Sequence, residues 1–256
     1  EIYIICDNED KTIEQYRQRF GDKVIVFDKA EIEKKIDTGD NFGDRRTILH
    51  ARNACFEIAK ELGLKYFLQL DDDYYEFQYK INHKMEYPTN HLTVLSNLGN
   101  VFDSFFTYYK SIGAKSIALS QGGDFFGGKD GFGKSKRKCM NTFFCSVDRP
   151  FQFRGTMNED VNTYTSLGKN GDLFLSIHFA MMNQMDTQSS SGGITELYKK
   201  FGTYVKSFYT VMYSPSCTKI SMMGSTHRRL HHKIKWDHAV PFIVPESARK
   251  PTIINA

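Results

Sequence analysis

The sequence predicts an α/β fold, a mixed but mainly parallel central sheet flanked by helices, on three observations. Short apolar runs at 2–6, 24–27 and 66–70 alternate with helix-period segments at 9–20, 29–36 and 45–62, the order of β-α-β units. A hydrophobic content of 40% over 256 residues is enough for one large core, and charged residues at 25% are ordinary for a soluble chain. No internal repeat and no Pro- or Ser-rich linker divides the chain, so residues 1–256 read as a single domain.

The elements follow in order. Ile2-Tyr3-Ile4-Ile5-Cys6 and Val24-Ile25-Val26-Phe27 are strand-like runs. Between 45 and 62, Ile48, Ala51, Cys55, Ile58, Ala59 and Leu62 recur at steps of three and four, and Gly63 ends the helix. Tyr66-Phe67-Leu68-Gln69-Leu70 is the next buried strand. Leu92, Leu95, Leu98, Phe102, Phe105, Tyr109 and Ile112 predict one long amphipathic helix over 92–112. Strands follow at 115–120, 140–147 and 173–177, with a helix from Asn158 to about 169–171 and a short strand near 240–244. The glycine-rich stretch from Gln121 to Lys138 is too long for a simple connection and reads as a functional loop.

Several classes are excluded. No apolar run approaches the roughly 18 residues of a membrane span. Five scattered cysteines with no C-x-x-C pair argue against a disulfide framework or a structural zinc site, and fit a reducing cytoplasm. A net charge of +4 permits an anionic partner without requiring one.

The sharpest feature is Asp71-Asp72-Asp73, directly after strand 66–70. In open α/β sheets ligands bind beyond the carboxyl ends of strands. Alternation along an extended chain turns Asp71 and Asp73 to one side, where they can share a hard divalent ion completed by substrate phosphates. A solvated acidic turn is the plain alternative. On the preceding helix, spacing by seven sets Arg45 with Arg52 and Arg46 with Asn53 in polar columns. Such arginines suit a diphosphate, although exposed surface arginines give the same pattern. Arg154-Gly155-Thr156-Met157-Asn158-Glu159-Asp160 precedes a helix. There Asn158 suits an N-cap, and Glu159 or Asp160 is a candidate general base toward an acceptor hydroxyl; helix-dipole stabilisation of the two acids is the competing explanation.

In this order the pieces resemble a GT-A nucleotide-sugar glycosyltransferase: Ala51-Arg52-Asn53 its donor helix, Asp71-Asp72-Asp73 its D-x-D motif, Asn158-Glu159-Asp160 its x-E-D motif. More narrowly, the chain resembles the TET-associated glycosyltransferases of bacteriophages. The likeness rests on Arg154 to Tyr164, Gly168 to Leu175, Gln184 with Thr187-Gln188 and Gly192-Gly193, and the His/Arg tail, and covers roughly 1–245. It implies a Rossmann-like GT-A domain with a donor half near 1–120 and an acceptor half near 121–256. It also implies a UDP-sugar donor, Mn²⁺ or Mg²⁺, and an acceptor that is the hydroxymethyl group of 5-hydroxymethylcytosine or 5-hydroxymethyluracil in DNA. The setting would be the host cytoplasm if a phage encodes the chain.

Carried over by position, Asp71 and Asp73 match the D-x-D carboxylates, with Asp72 able to replace a neighbour. Arg52 and Asn53 match donor-helix residues, and Asp160 the last acid of x-E-D. In an inverting transfer Asp160 or Glu159 is the base; in a retaining one that acid orients the acceptor. The family habit of a C-terminal histidine ligand makes His227, His231 and His232 candidates, with His231 preferred; a solvated or phosphate-touching basic stretch is the alternative. Two basic clusters, Lys134-Ser135-Lys136-Arg137-Lys138 and 228–235 with Arg228 and Arg229, are candidates for DNA phosphate contacts. Phe125, Phe126 and Phe132 suit either a stacking loop or a lid over the donor.

Overall fold

The computed structural model describes residues 1–84, 86, 93–120, 142–185, 194–202, 204–224 and 228–240. The segment 121–141, where a functional loop was expected over 121–138, lies outside them, with Lys134, Lys136, Arg137, Lys138, Phe125, Phe126 and Phe132. So do His227, Thr187, Gln188, Gly192, Gly193 and nearly all of the strand expected near 240–244.

A six-stranded sheet carries the core. Its spatial order is β3 (Tyr66–Gln69), β7 (Phe143–Ser146), β6 (Ser116–Ser120), β8 (Phe174–Gln184), β4 (Tyr74–Tyr79) and β5 (Thr93–Val94). Among the described residues of this sheet only β6 and β8 pair in parallel; β3–β7, β6–β7, β4–β8 and β4–β5 are antiparallel. A separate parallel pair joins β1 (Ile4–Asp7) to β2 (Val24–Phe27). The expected mainly parallel sheet is thus corrected to a mostly antiparallel one. Helix-linked strands in the first third suggested crossovers throughout. Beyond Asp73 the chain instead turns straight into β4, which runs back along β8, and antiparallel strands need no crossover helix.

Among the described residues there are seven α-helices. On one sheet face α4 (Leu98–Ser111) packs Phe102, Phe105 and Phe106 against Phe144 edge-on. The helix expected from 92 begins only at Leu98, because the Asn97 side chain accepts the Asn100 N–H and caps it there. Thr93 and Val94 go instead to the sheet edge. The opposite face buries Phe143, Phe153, Val161 and Tyr164 beneath α3 (Leu49–Glu61) and α5 (Glu159–Gly168). α1 (Ile13–Phe20) and α2 (Lys29–Glu33) accompany β1 and β2. α6 (Ile194–Phe201) and α7 (Val205–Tyr213) bury Leu197, Tyr198 and Tyr209 around Met157. Last comes an antiparallel hairpin, β9 (Thr218–Met223) and β10 (Arg229–Ile234), packed on α7.

α3 also starts later than expected. Asp44 accepts the Arg46 backbone N–H at 3.1 Å and the Arg46 guanidinium at 2.9 and 2.5 Å, a local arrangement that competes with helix. Arg45 and Arg46 therefore lie in the preceding loop, and the predicted polar columns do not form.

Candidate active site

Arg52 organises the site. It sits in the first turns of α3, 3% exposed, with its guanidinium 5.0 Å from the Phe143 ring centre and 5.6 Å from that of Phe153. Stacking on two rings fixes the plane of the fork. Its Nε donates to Glu159 Oε1 at 3.0 Å, and its Nη2 stands 3.0 Å from Asp71. Gln69, the last residue of β3, donates to the Arg52 carbonyl at 3.1 Å. Strand end, helix and the x-E-D segment are thereby locked around one cation.

The three aspartates divide. Asp71 turns inward to Arg52 and accepts a hydrogen bond from Tyr74. Asp72 is exposed. Asp73 is half-buried, and its Oδ1 is shielded from solvent without a hydrogen-bond partner among the described residues. Burial raises the Asp71 carboxyl above the ordinary range; Arg52 opposes this, and Asp73 and Asp160 add to it. Asp73 is raised too, by burial and then by Asp72.

At the N-terminus of α5, Asn158 occupies the cap position with φ 56° and ψ 37°, and its side chain caps nothing. Its Nδ2 reaches the Lys206 carbonyl at 3.0 Å, Thr210 Oγ1 at 3.1 Å and His232 Nδ1 at 3.2 Å. The left-handed backbone, tolerable for Asn, thus aims an amide away from its own helix to tie α7 and β10 to the acids. The expected N-cap is corrected to this tie.

Glu159 and Asp160 are both buried. Burial, followed by the neighbouring Asp160, pushes the Glu159 carboxyl up to about 7 against the pull of Arg52. Arg52 keeps its charge because Asp71 and Glu159 outweigh its own burial. Asp160 Oδ1 accepts the Val161 N–H at 2.7 Å, and its Oδ2 has no hydrogen-bond partner among the described residues. Lys206 and Tyr198 lie within electrostatic reach of Asp160. Burial lowers the Lys206 ammonium and Arg229 lowers it further, while Asp160 opposes both.

Not all expected residues converge. Arg45 pairs with Glu9 and Glu33, away from the acids. Asn53 makes a two-way bridge to Phe153, Nδ2 to its carbonyl at 3.2 Å and Oδ1 from its N–H at 2.9 Å, and so braces α3 against the segment that leads into α5. His231 lies on β10 with its ring 4.2 Å from that of His232. Among the described residues no three His, Cys, Asp or Glu side chains are grouped to hold a metal ion, so the set Asp71, Asp73 and His231 is not assembled. A hard cation that takes most of its ligands from phosphates needs only one or two carboxylates. The partnerless Oδ1 of Asp73, beside Asp71, fits that smaller demand. Arg228 and Arg229 are exposed at the start of β10.

Sequence reading missed Tyr74, Tyr198 and Lys206 as neighbours of the acids; of the candidate histidines it preferred His231, whereas His232 is the one that meets Asn158. The alternation in Tyr74-Tyr75-Glu76-Phe77-Gln78-Tyr79 was a usable signal for β4. Nothing local marked Tyr198 or Lys206, whose helices reach the site only through tertiary packing.

No helix among the described residues is long and apolar enough to cross a membrane. Comparison with curated proteins and with solved structures returned no match. The family model for TET-Associated Glycosyltransferase matches residues 1–193, a span holding Arg52, all three aspartates and the Asn158-Glu159-Asp160 segment. By that match over most of its length, and with its acids gathered around one buried arginine, the chain belongs to the TET-associated glycosyltransferase family.

Proposed function

We propose that this glycosyltransferase moves a sugar from a UDP-sugar to the hydroxymethyl oxygen of a 5-hydroxymethylpyrimidine in DNA, on a GT-A-type domain and with Mn²⁺ or Mg²⁺ at the acidic corner. The observation that carries this reading is the Arg52 bridge, which makes one site of Asp71 and Glu159. Asp73 and Asp71 are the residues to hold the cation, which when bound neutralises charge on the departing diphosphate. Arg52 is a fixed counter-charge that keeps Asp71 and Glu159 ionisable inside the protein.

Asp160 is the better base, because Glu159 already gives Oε1 to Arg52 whereas Asp160 Oδ2 is uncommitted among the described residues. In an inverting transfer Asp160 takes the proton of the acceptor hydroxyl as that oxygen bonds the anomeric carbon. The bond from that carbon to the diphosphate oxygen breaks, and UDP leaves with the electron pair.

The test is sugar transfer from UDP-sugars to hydroxymethylated duplex DNA with and without Mn²⁺, read by mass of the modified nucleoside and by UDP release. Asp73→Asn should lower both by on the order of 10²-fold or more, the scale of losing one transition-state electrostatic contact. Undiminished transfer by that variant removes Asp73 from the mechanism. Transfer to glycans or proteins in place of DNA overturns the acceptor.

A further inference from the structure

From Leu197 to Trp236 the chain contains eight Lys or Arg residues and not one Asp or Glu, so the remainder, in a chain of +4, is net −4. That segment is the end of α6, all of α7 and the β9–β10 hairpin. Lys200, Lys219, Arg228, Arg229, Lys233 and Lys235 are exposed on it.

Within the hairpin Lys219 and Lys233 are direct cross-strand partners. Like charges placed opposite one another destabilise a strand pair, typically by a few tenths to about 1 kcal/mol. Arg229, four residues from Lys233 on the same strand, shares their face and extends the row by about 14 Å. Among the described residues none of these three cations is paired with a carboxylate, and a repulsive ladder of that kind is what a bound polyanion would relieve. The ladder also adjoins the site: Arg229 acts on Lys206, Lys206 on Asp160, and His232 meets Asn158.

We infer that the outer face of the β9–β10 hairpin, with Lys219, Arg229 and Lys233 at its centre, is the docking surface for the phosphate backbone of the duplex acceptor. This rests on the proposal that the acceptor is DNA. Phosphate contacts place the duplex and carry no sequence information, so the surface orients the target nucleotide toward Asp160 and leaves base choice to the site.

The experiment is fluorescence anisotropy of the full chain with an unmodified duplex, titrated between about 50 and about 200 mM salt, the range over which phosphate contacts weaken steeply. Neutralising Lys219, Arg229 and Lys233 to Gln should reduce the slope of log affinity against log salt by about 0.9 per lost contact. A matched triple, Lys11→Gln with Lys23→Gln and Lys60→Gln on the β1–β2 side, should keep the wild-type slope. Lys219→Glu guards against misfolding: it turns a cross-strand repulsion into an attraction, so it should melt at or above wild type while binding duplex more weakly. An unchanged slope in the hairpin triple, or an equal loss in the matched triple, overturns the surface and leaves the DNA acceptor standing. Absence of both duplex binding and DNA transfer in the wild type overturns the acceptor, and this inference with it.

Discussion

Arg52 and Glu159 are 107 residues apart in the chain and 3.0 Å apart in the structure. Asp71 stands at the same distance on the other side of the guanidinium. Three segments with little local relation thus share one buried cation, and the site's integrity depends on it.

Arg52→Met removes that cation and leaves two buried carboxylates without compensation. Breaking a buried ion pair from one side costs about 3–5 kcal/mol. The loss measured by urea unfolding near neutral pH should be of that size. It should shrink in acid, where Asp71 and Glu159 take up protons, and a loss that ignores pH would argue against the bridge.

Glu159 sets a pH dependence of its own. Its native carboxyl, raised to about 7 from 4.5, holds a proton more tightly than the unfolded chain does. The stability this supplies is fully present below the unfolded value and is lost as pH rises through the folded one. Glu159→Gln should therefore flatten the decline of unfolding free energy between these two values, by at most ~1.4 kcal/mol per pH unit. Urea titrations spaced across that window check it; parallel curves for the two proteins would deny the titration.

Asn158 separates backbone strain from side-chain ties. Asn158→Ala keeps a Cβ in the left-handed region and loses the contacts to Lys206, Thr210 and His232. Asn158→Gly loses the same contacts and relieves the backbone, by roughly 1 kcal/mol. Thermal melts should rank wild type first, Gly second and Ala last, and a reversal of the last two would mean the residue leaves φ 56° at no cost.

Gly155 has φ +85°, and a Cβ there would meet Asn162 Nδ2 and come within 2.9 Å of the Tyr213 ring. Asn162 cannot retreat, since it is fully buried and holds the carbonyls of Arg154 and Met157. Gly155→Ala should cost about 1–3 kcal/mol by overpacking, read as a lower melting temperature.

Much of the site was legible in the sequence because its signals are local. An apolar run stopping at Asp71, and two acids opening a helix at Glu159, are visible without tertiary information. The helix stripe placed α3 to within four residues of its start, and local side-chain contacts, Asp44 with Arg46 and Thr47 with the Leu49 N–H, moved the boundary. Sheet direction was not legible. Pairing in β4 and β8 is set by partners about 100 residues distant, and the strand period says nothing about which neighbour is chosen. Arg52 was read as one of a polar column suited to a diphosphate or to solvent, not as a buried counter-charge. Its burial becomes favourable only once Asp71, Glu159, Phe143 and Phe153 surround it.

The span between Arg52 and Glu159 also governs when the protein becomes competent. A nascent chain that has not yet reached residue 159 has Asp71 but not the second counter-ion for Arg52. Contacts between such distant segments form late, after the entropy of closing a long loop has been overcome. Prematurely terminated products should therefore be more than inactive: with an ill-matched charge at the heart of the fold, they are the species that quality-control proteases would clear first.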